Sequence, residues 1–591
     1  MDSGIGDSGP GSRGQRGSKT PAILAAVAAV SVLMTLISRS WFELDFSFLS
    51  PLLLYGLGTL VMVAAALTAA RAVAGSHFQE RRGGPSKAGL VIPYVLGSLA
   101  VVAFGLDHLA RKAFSVPIDP WLSADMLVQI RLALNALLTG HNPYQTFHVP
   151  WTLPLSYGPV LWAPYLVPHL LHLDLRFLSL AGVLIAAAAL ALSGTARALR
   201  SDWVGALGLL LAAFVWLWAP AQEDFIYIAH TPVYWPLIVL WAVQVRRGAG
   251  TGSSVSLGLL IAARTTMIAL VPLYLLHLAG KNVRVAVKQA GVVAATGIAV
   301  FLPFLLLDAR QLFEGLLFHY FEAVRKAVWP HPETMDRTFG LAGPLVHFGW
   351  ESAIFWAQLG MWAVVIFLCR NRVKTAPALI AWSSLSLLVF SLGAIWPVYY
   401  IFLDVVVLMI AGIATTILYP WPFGVRRSVL LGAVFLLVPL LAAVAPLSGH
   451  GPEITPGRPS SRAFLLNGFT EAPNPGTDAA RPFLWTLEPV AQVNLLRGSW
   501  SGAAIRIECR SQSQTRGPGM TVRLNGYRLG CAEIGPGWHT VVFSAPRRTW
   551  IAGANTLEIR VADSAGPAPG SAVDIPRPAT VQLARIRVTH P

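Results

Sequence analysis

Charge is scarce in this sequence. Asp, Glu, Lys and Arg make up 12% of its 591 residues, against 55% hydrophobic residues and a mean hydropathy of +0.59. Soluble domains carry roughly 25% charged residues. Half that fraction leaves too little polar surface to cover a water-facing globule of this length, which excludes an ordinary soluble protein. Cysteine is scarcer still: three residues cannot build a disulfide framework. Cys369 closes an apolar run, while Cys509 and Cys531 lie near the C-terminus. Those two are either a pair, if that region is extracytoplasmic, or buried free thiols. The histidines lack metal-ligand spacing, so neither a metal nor a cofactor is expected. There is no glycine-rich phosphate loop, dinucleotide fingerprint or serine nucleophile elbow. An internal repeat, common in transporters, is also missing.

What the chain has in abundance is apolar runs of about 20 residues, recurring from Ala22 to Pro446, long enough to cross a bilayer as helices. The net charge of +16 comes from basic residues gathered at the ends of these runs. Positive-inside topology accounts for them, so membrane lipids are expected partners and nucleic acid is not. Arg13, Arg16 and Lys19 precede the run Ala22–Ser38, which lacks a small-x-small cleavage site and reads as a signal anchor.

Placing the basic flanks inside predicts spans near 22–38, 51–71, 88–106, 176–196, 203–219, 233–246, 285–306, 353–369, 376–394, 397–418 and 427–446. That is about 11 crossings. Two apolar stretches do not fit as single spans. Segment 157–171 carries Pro159, Pro164 and Pro168 and reads as interfacial or re-entrant. Segment 253–280 is interrupted by Arg264, Thr265 and Thr266 and has basic residues on both flanks. A hairpin of two short helices suits it, with Arg264 at the tip near the outer half of the membrane.

The chain accordingly divides into four regions. Residues 1–87 form an N-terminal tail and transmembrane hairpin, and 88–446 a membrane-embedded core. A Pro- and Gly-rich linker at 447–499, with one or two strands, leads to an all-β region at 500–591. Within this C-terminal region, apolar and polar residues alternate at 504–508, 521–525 and 540–543, and Asn525-Gly526 signals a hairpin turn. Short strands at this spacing predict an extracytoplasmic β-sandwich.

The first long outer loop carries the chemistry. Asp125 opens an amphipathic helix whose apolar face uses positions 127, 130, 134, 137 and 138, suited to lying on a membrane surface. A carboxylate there complements the helix dipole, and Asp125 or Ser123 can simply cap the helix. Then come Gly140-His141-Asn142-Pro143-Tyr144 and Tyr157-Gly158-Pro159. This series resembles the first outer loop of GT-C class glycosyltransferases, above all glycosyltransferase family 87, the polyprenol-phosphate-sugar-dependent mannosyltransferase-like group. The likeness extends over roughly 88–420, including Arg246-Arg247 and Gly258–Arg264. Gly158 stands where that family has a proline, Arg264 where it often has lysine, and Ala229–Tyr234 replaces its polar stretch.

The resemblance implies a GT-C-like polytopic α-helical membrane enzyme, and no metal is expected because arginines can neutralise a departing monophosphate. It would move a sugar with inversion from a polyprenyl-phosphate donor to a glycan, lipid or protein acceptor at the extracytoplasmic face. It makes Asp125 the general base, with Asp45, Asp107, Asp119, Glu223 and Asp224 as competitors. The donor phosphate calls for cations, and Arg264, Arg325 and Arg337 are the candidates. An arginine interrupting an intramembrane segment also invites a partner, or snorkels to the interface. Tyr144, Tyr157, His230, Tyr234, His319 and Glu322 are candidate substrate contacts. All can equally serve packing or a solvated helix face.

The tail motifs at 522–526, 537–543 and 553–559 resemble galactose-binding-like jelly rolls, in which Trp538 or Trp550 could stack on a glycan or pack the fold. A transporter or flippase for a lipid-linked glycan is the alternative function. The concentration of acidic residues in outer loops favours the enzyme.

Overall fold

The computed structural model describes residues 20–38, 50–75, 88–118, 125–148, 152–228, 230–419, 424–444, 454, 464–467, 484–485, 490–497, 502–511, 519–561 and 581–589. Its first three quarters are helical. Among the described residues six helices are long and apolar enough to cross a membrane: Pro51–Gly75, Leu90–Phe114, Arg176–Leu199, Val283–Lys326, Glu351–Cys369 and Tyr399–Leu418. Shorter apolar helices such as Trp203–Trp218 and Ala376–Leu392 stand beside them, and the predicted spans fall on members of both groups except 233–246, which falls on helix Trp235–Gly248, in neither group.

Burial separates a central helix from peripheral ones. The apolar window of Tyr399–Leu418 is wholly enclosed by protein, whereas that of Val283–Lys326 is 6% buried. Such an all-round apolar helix can only be covered by lipid or by neighbours.

Both awkward apolar stretches are broken. Segment 157–171 folds as three short helical pieces, Pro159–Trp162, Ala163–Tyr165 and Leu166–Leu170, because its prolines each forbid a continuous ladder. In the second stretch Arg264 is extended (φ −148°, ψ 125°) between helix Thr251–Ala263 and the 3₁₀ turn Thr265–Leu270. The helical arm rises about 20 Å out from Gly250, and the 3₁₀ turn plus one helical turn descends about 18 Å back to Tyr274. The Tyr274 hydroxyl accordingly meets the Gly250 carbonyl at 3.2 Å and Ser253 and Ser254 at 2.9 and 2.8 Å. The stretch is a hairpin, with Arg264 at its tip.

The C-terminal region is an antiparallel sandwich. After the small pair β1 (Thr146–Phe147) and β2 (Leu153–Pro154), its strands are β3 (Leu465–Asn467), β4 (Leu484–Trp485), β5 (Val490–Arg497), β6 (Ala503–Ser511), β7 (Gly519–Leu524), β8 (Tyr527–Glu533), β9 (His539–Ala545), β10 (Gly553–Val561) and β11 (Val581–Thr589). They form one sheet in the order β3-β5-β10-β7-β8 and another in the order β4-β11-β6-β9. The domain therefore starts before residue 500. The presumed linker supplies three strands, β5 lies between β3 and β10, and Ile454 bridges Ile586. Proline and glycine around these strands hid their alternation.

Cys509 and Cys531 lie in different sheets, both as free thiols. Burial pushes the Cys509 thiol up to about 12, with Glu508 adding to the shift, while Cys531 is exposed. Thiolate, the reactive form, is thus suppressed at Cys509. At pH 8 a maleimide should modify Cys531 in the folded chain and reach Cys509 only after denaturation, which peptide mass mapping checks.

The sandwich is docked on the bundle, at the end opposite the Arg197–Arg200 turn. Ala552 exchanges backbone hydrogen bonds with the 172–174 segment, donating to the His172 carbonyl (2.9 Å) and accepting from the Asp174 amide (2.8 Å). Buried Asn494 donates to the carbonyls of Phe114 and Ser115 at 2.9 and 2.8 Å. Beneath this seam Arg176 holds Asp174 through Nε (2.9 Å) and Nη2 (2.7 Å), both side chains fully enclosed. Gly553 (φ +129°) sits where an added Cβ would lie 2.5 Å from that of Asp174. Gly553→Ala should therefore cost about 1–3 kcal/mol of stability and loosen the docking. Thermal melting and limited proteolysis in detergent test this, with Gly537→Ala, which faces open space, as control.

Candidate active site

The hairpin tip is the centre of a polar cluster inside the apolar bundle. Asp404, in the first turn of helix Leu403–Leu418, is 1% exposed. Its carboxylate accepts from the Tyr234 hydroxyl (2.6 Å) and the Trp235 indole (2.8 Å). Arg264 Nη1 reaches the same carboxylate at 3.3 Å and the Tyr234 oxygen at 3.2 Å. A lone carboxylate in this setting would be very costly, and a cation with two neutral donors makes it tolerable.

The chain breaks in three places to build this arrangement. Helix Trp235–Gly248 starts with Pro236 in its first turn, and the preceding 3₁₀ turn Thr231–Tyr234 presents Tyr234 beside Trp235. Arg264 is extended, which ends the outgoing helix and lets its side chain turn toward helix Leu403–Leu418. Gly158 makes the third contact, because an added Cβ would lie 1.9 Å from the Ala262 carbonyl oxygen. Glycine in place of the expected proline is thus what allows the 157–171 segment to close against the tip.

Aromatic rings continue the site away from the tip. The Arg264 guanidinium lies 5.6 Å from the Tyr400 ring centre, within cation–π range. The Tyr400 ring is 5.5 Å from His230, and His230 is 4.8 Å from Tyr157. The Tyr157 hydroxyl contacts the sulfur of Met126. Met126 follows Asp125, the first residue of helix Asp125–Leu138. A continuous row of contacts therefore runs from the Arg264 cluster to the start of the amphipathic helix. The Asp125 side chain itself lies outside the described residues.

Arg264 is 16% exposed at its side chain. Among the described residues its hydrogen bonds use Nη1 alone, so the Nε–Nη2 edge remains for a ligand. That edge is the planar two-donor fork that suits a phosphate.

The structure thus brings together four of the predicted residues: Arg264, Tyr234, His230 and Tyr157. Tyr144 is nearby but enclosed, its hydroxyl donating to the Tyr157 carbonyl (3.0 Å) and accepting from Trp162 (3.1 Å). It braces the loop. Arg325, Glu322 and His319 lie on the Glu314–Ala327 helical stretch, whose Gly315 packs against the Leu155 carbonyl, and there Glu322 pairs with Lys326 at 2.7 Å on an exposed face. Arg337 is exposed near Tyr55.

In the sandwich Trp550 is 2% exposed, its indole donating to the Ala545 carbonyl with Arg497 over its ring. It is a core residue with no open face for a glycan. Trp538 is half-buried beneath Arg510.

Among the competing carboxylates, Glu223 meets His108 at 2.9 Å and Lys112 at 3.7 Å, and Asp107 meets Arg111 at 2.8 Å. Asp45 and Asp119, like the side chain of Asp224, lie outside the described residues. Among the described residues no group of three or more His, Cys, Asp or Glu gathers as metal ligands.

No protein-family model matches the chain, and no curated protein matches it by sequence. Among solved structures, arabinosyltransferase EmbB from Mycobacterium smegmatis, determined by single-particle cryo-EM, is similar at 12% identity and a TM-score of 0.26. The match covers 90% of this chain and 68% of that one. A likeness this distant carries none of the functional reading below.

Sequence reasoning passed over Asp404, Trp235 and Tyr400. The signal for Asp404 was present: it is the one acidic residue in the run 397–418. An ionisable group inside a span demands a partner.

Proposed function

We propose that the protein is a membrane glycosyltransferase that moves a sugar from a polyprenyl-phosphate donor to a glycan, lipid or protein acceptor at the extracytoplasmic face. The observation that carries this is the Arg264–Asp404–Tyr234 cluster at a broken hairpin tip, joined by aromatic rings to the start of the Asp125 helix. Arg264 holds the donor phosphate on its Nε–Nη2 edge, kept aimed by Asp404 and Tyr234. Asp125 takes the proton from the acceptor hydroxyl as that oxygen bonds to the anomeric carbon. The bond from that carbon to the lipid phosphate breaks on the opposite face, the electron pair leaves with the phosphate beside Arg264, and the anomeric centre inverts.

Tyr157 and Tyr400, both partly exposed, form the wall on which the sugar rests, since aromatic faces cover the C–H faces of sugars, and buried His230 packs between them. Arg325, Arg337, His319 and Glu322 are assigned no role in this step, since among the described residues no hydrogen bond or ion pair joins them to the cluster.

The test is transfer from a panel of radiolabelled polyprenyl-phosphate hexoses and pentoses to membrane extract by the purified full chain. Anomeric configuration of the product is read by NMR. A labelled, inverted product is the expected result. Failure of every donor, with lipid-linked glycan crossing proteoliposomes instead, would establish the transporter alternative.

A further inference from the structure

At the end of the bundle away from Arg264, a cavity of about 360 Å³ opens between helix Pro51–Gly75 and the start of helix Ala376–Leu392. Arg71, Arg372 and Lys374 line it, together with Thr375 and Trp382. By the positive-inside rule this is the cytoplasmic end. Arg71 comes from the last turns of the first helix, and the other two cations come from a loop whose middle residue is fixed. Val373 between them is buried, and its carbonyl lies 2.6 Å from His277 Nδ1. Anchoring Val373 turns Arg372 and Lys374 outward. Arg372 rests 5.0 Å from the centre of the buried Trp382 ring.

Among the described residues no carboxylate lines the cavity and none of the three cations is in an ion pair. Three like charges held around one concavity repel one another unless an anion enters. The first turn of helix Ala376–Leu392, with Thr375 at its cap, adds a partial positive charge on the same side.

We infer that this cavity binds the phosphate headgroup of one anionic phospholipid of the cytoplasmic leaflet. The walls choose a lipid over free phosphate. The cations form the outer rim, while Ala74 on the candidate span Pro51–Gly75 and Ala378 and Trp382 on the shorter apolar helix Ala376–Leu392 give the cavity an apolar inner side. A headgroup can thus face the cations with its glycerol toward the apolar side. The inference is independent of the proposed transfer reaction.

The experiment uses the full chain, delipidated in detergent and offered phosphatidylglycerol or phosphatidylcholine, with retained lipids counted by native mass spectrometry. Wild type should retain one phosphatidylglycerol tightly. The triple variant Arg71→Gln, Arg372→Gln, Lys374→Gln should bind it at least about tenfold more weakly. A second triple variant, Arg247→Gln, Arg284→Gln, Lys288→Gln, removes equal charge from exposed positions on the same side that do not line the cavity. It should behave as wild type. All six residues are exposed, and size-exclusion profiles verify folding. Equal retention by wild type and the first variant would overturn the inference, as would equal loss in both variants, which would mean diffuse attraction. Displacement by millimolar inorganic phosphate would overturn the lipid in favour of a soluble anion.

Discussion

Asp125→Asn is expected to lower sugar transfer by about 10²–10⁴-fold, the usual contribution of a positioned general base. Asparagine has nearly the same shape and also caps helices well, so the start of helix Asp125–Leu138 should survive. What it loses is the ability to accept a proton. The apparent affinity for the donor should change little, because the donor phosphate is held by Arg264 and not by this carboxylate. The measurement is initial rate against donor concentration for purified wild type and variant, with melting curves to show equal folding. A variant that retains full rate would mean that Asp125 only caps. Attention would then pass away from Glu223, committed to His108 and Lys112, and from Asp107, committed to Arg111. The base would have to be sought among other carboxylates of the outer loops.

The membrane architecture was legible because the bilayer imposes a simple rule. Spans are long and apolar, and their basic flanks fix orientation. The same rule exposed the two stretches that break it. Prolines in 157–171 and the polar triplet at Arg264 predicted discontinuities, and both occur. Legibility failed where a residue's partner lies far along the chain. Asp404 stands 140 residues from Arg264 and 170 from Tyr234, and neither separation leaves a periodic trace. The start of the sandwich was lost for a related reason. Strand β5 is specified by its pairing with β10, more than fifty residues later, and not by its local alternation. Gly158 is the reverse case. It departs from the resembled motif, and the close approach of the Ala262 carbonyl shows why glycine fits there.

Breaking the Arg264–Asp404 pair should separate activity from stability. Arg264→Gln removes the phosphate fork and is expected to cut transfer by about 10²–10³-fold, as for loss of a preorganised donor. It also strands the Asp404 carboxylate among two neutral donors in the bundle, and removing one partner of a buried pair costs about 3–5 kcal/mol. Asp404→Asn strands the arginine in turn, with a similar stability loss. Here the rate should fall with the aim of the guanidinium, not with the loss of a reacting group. Arg264→Lys keeps a charge near Asp404 but offers a point donor in place of a fork, so it should hold stability better than rate. The double variant Arg264→Gln, Asp404→Asn decides the matter. With both charges gone, the remaining amides can accept from Tyr234 and Trp235 and donate to the Tyr234 oxygen, and melting temperature should recover toward wild type. Transfer should not. If rate recovered together with stability, the pair would serve packing alone and Arg264 would not hold the donor phosphate. If stability never fell in the single variants, the cluster would be wet and its charges screened, and the tip would be an open mouth instead of a closed clamp.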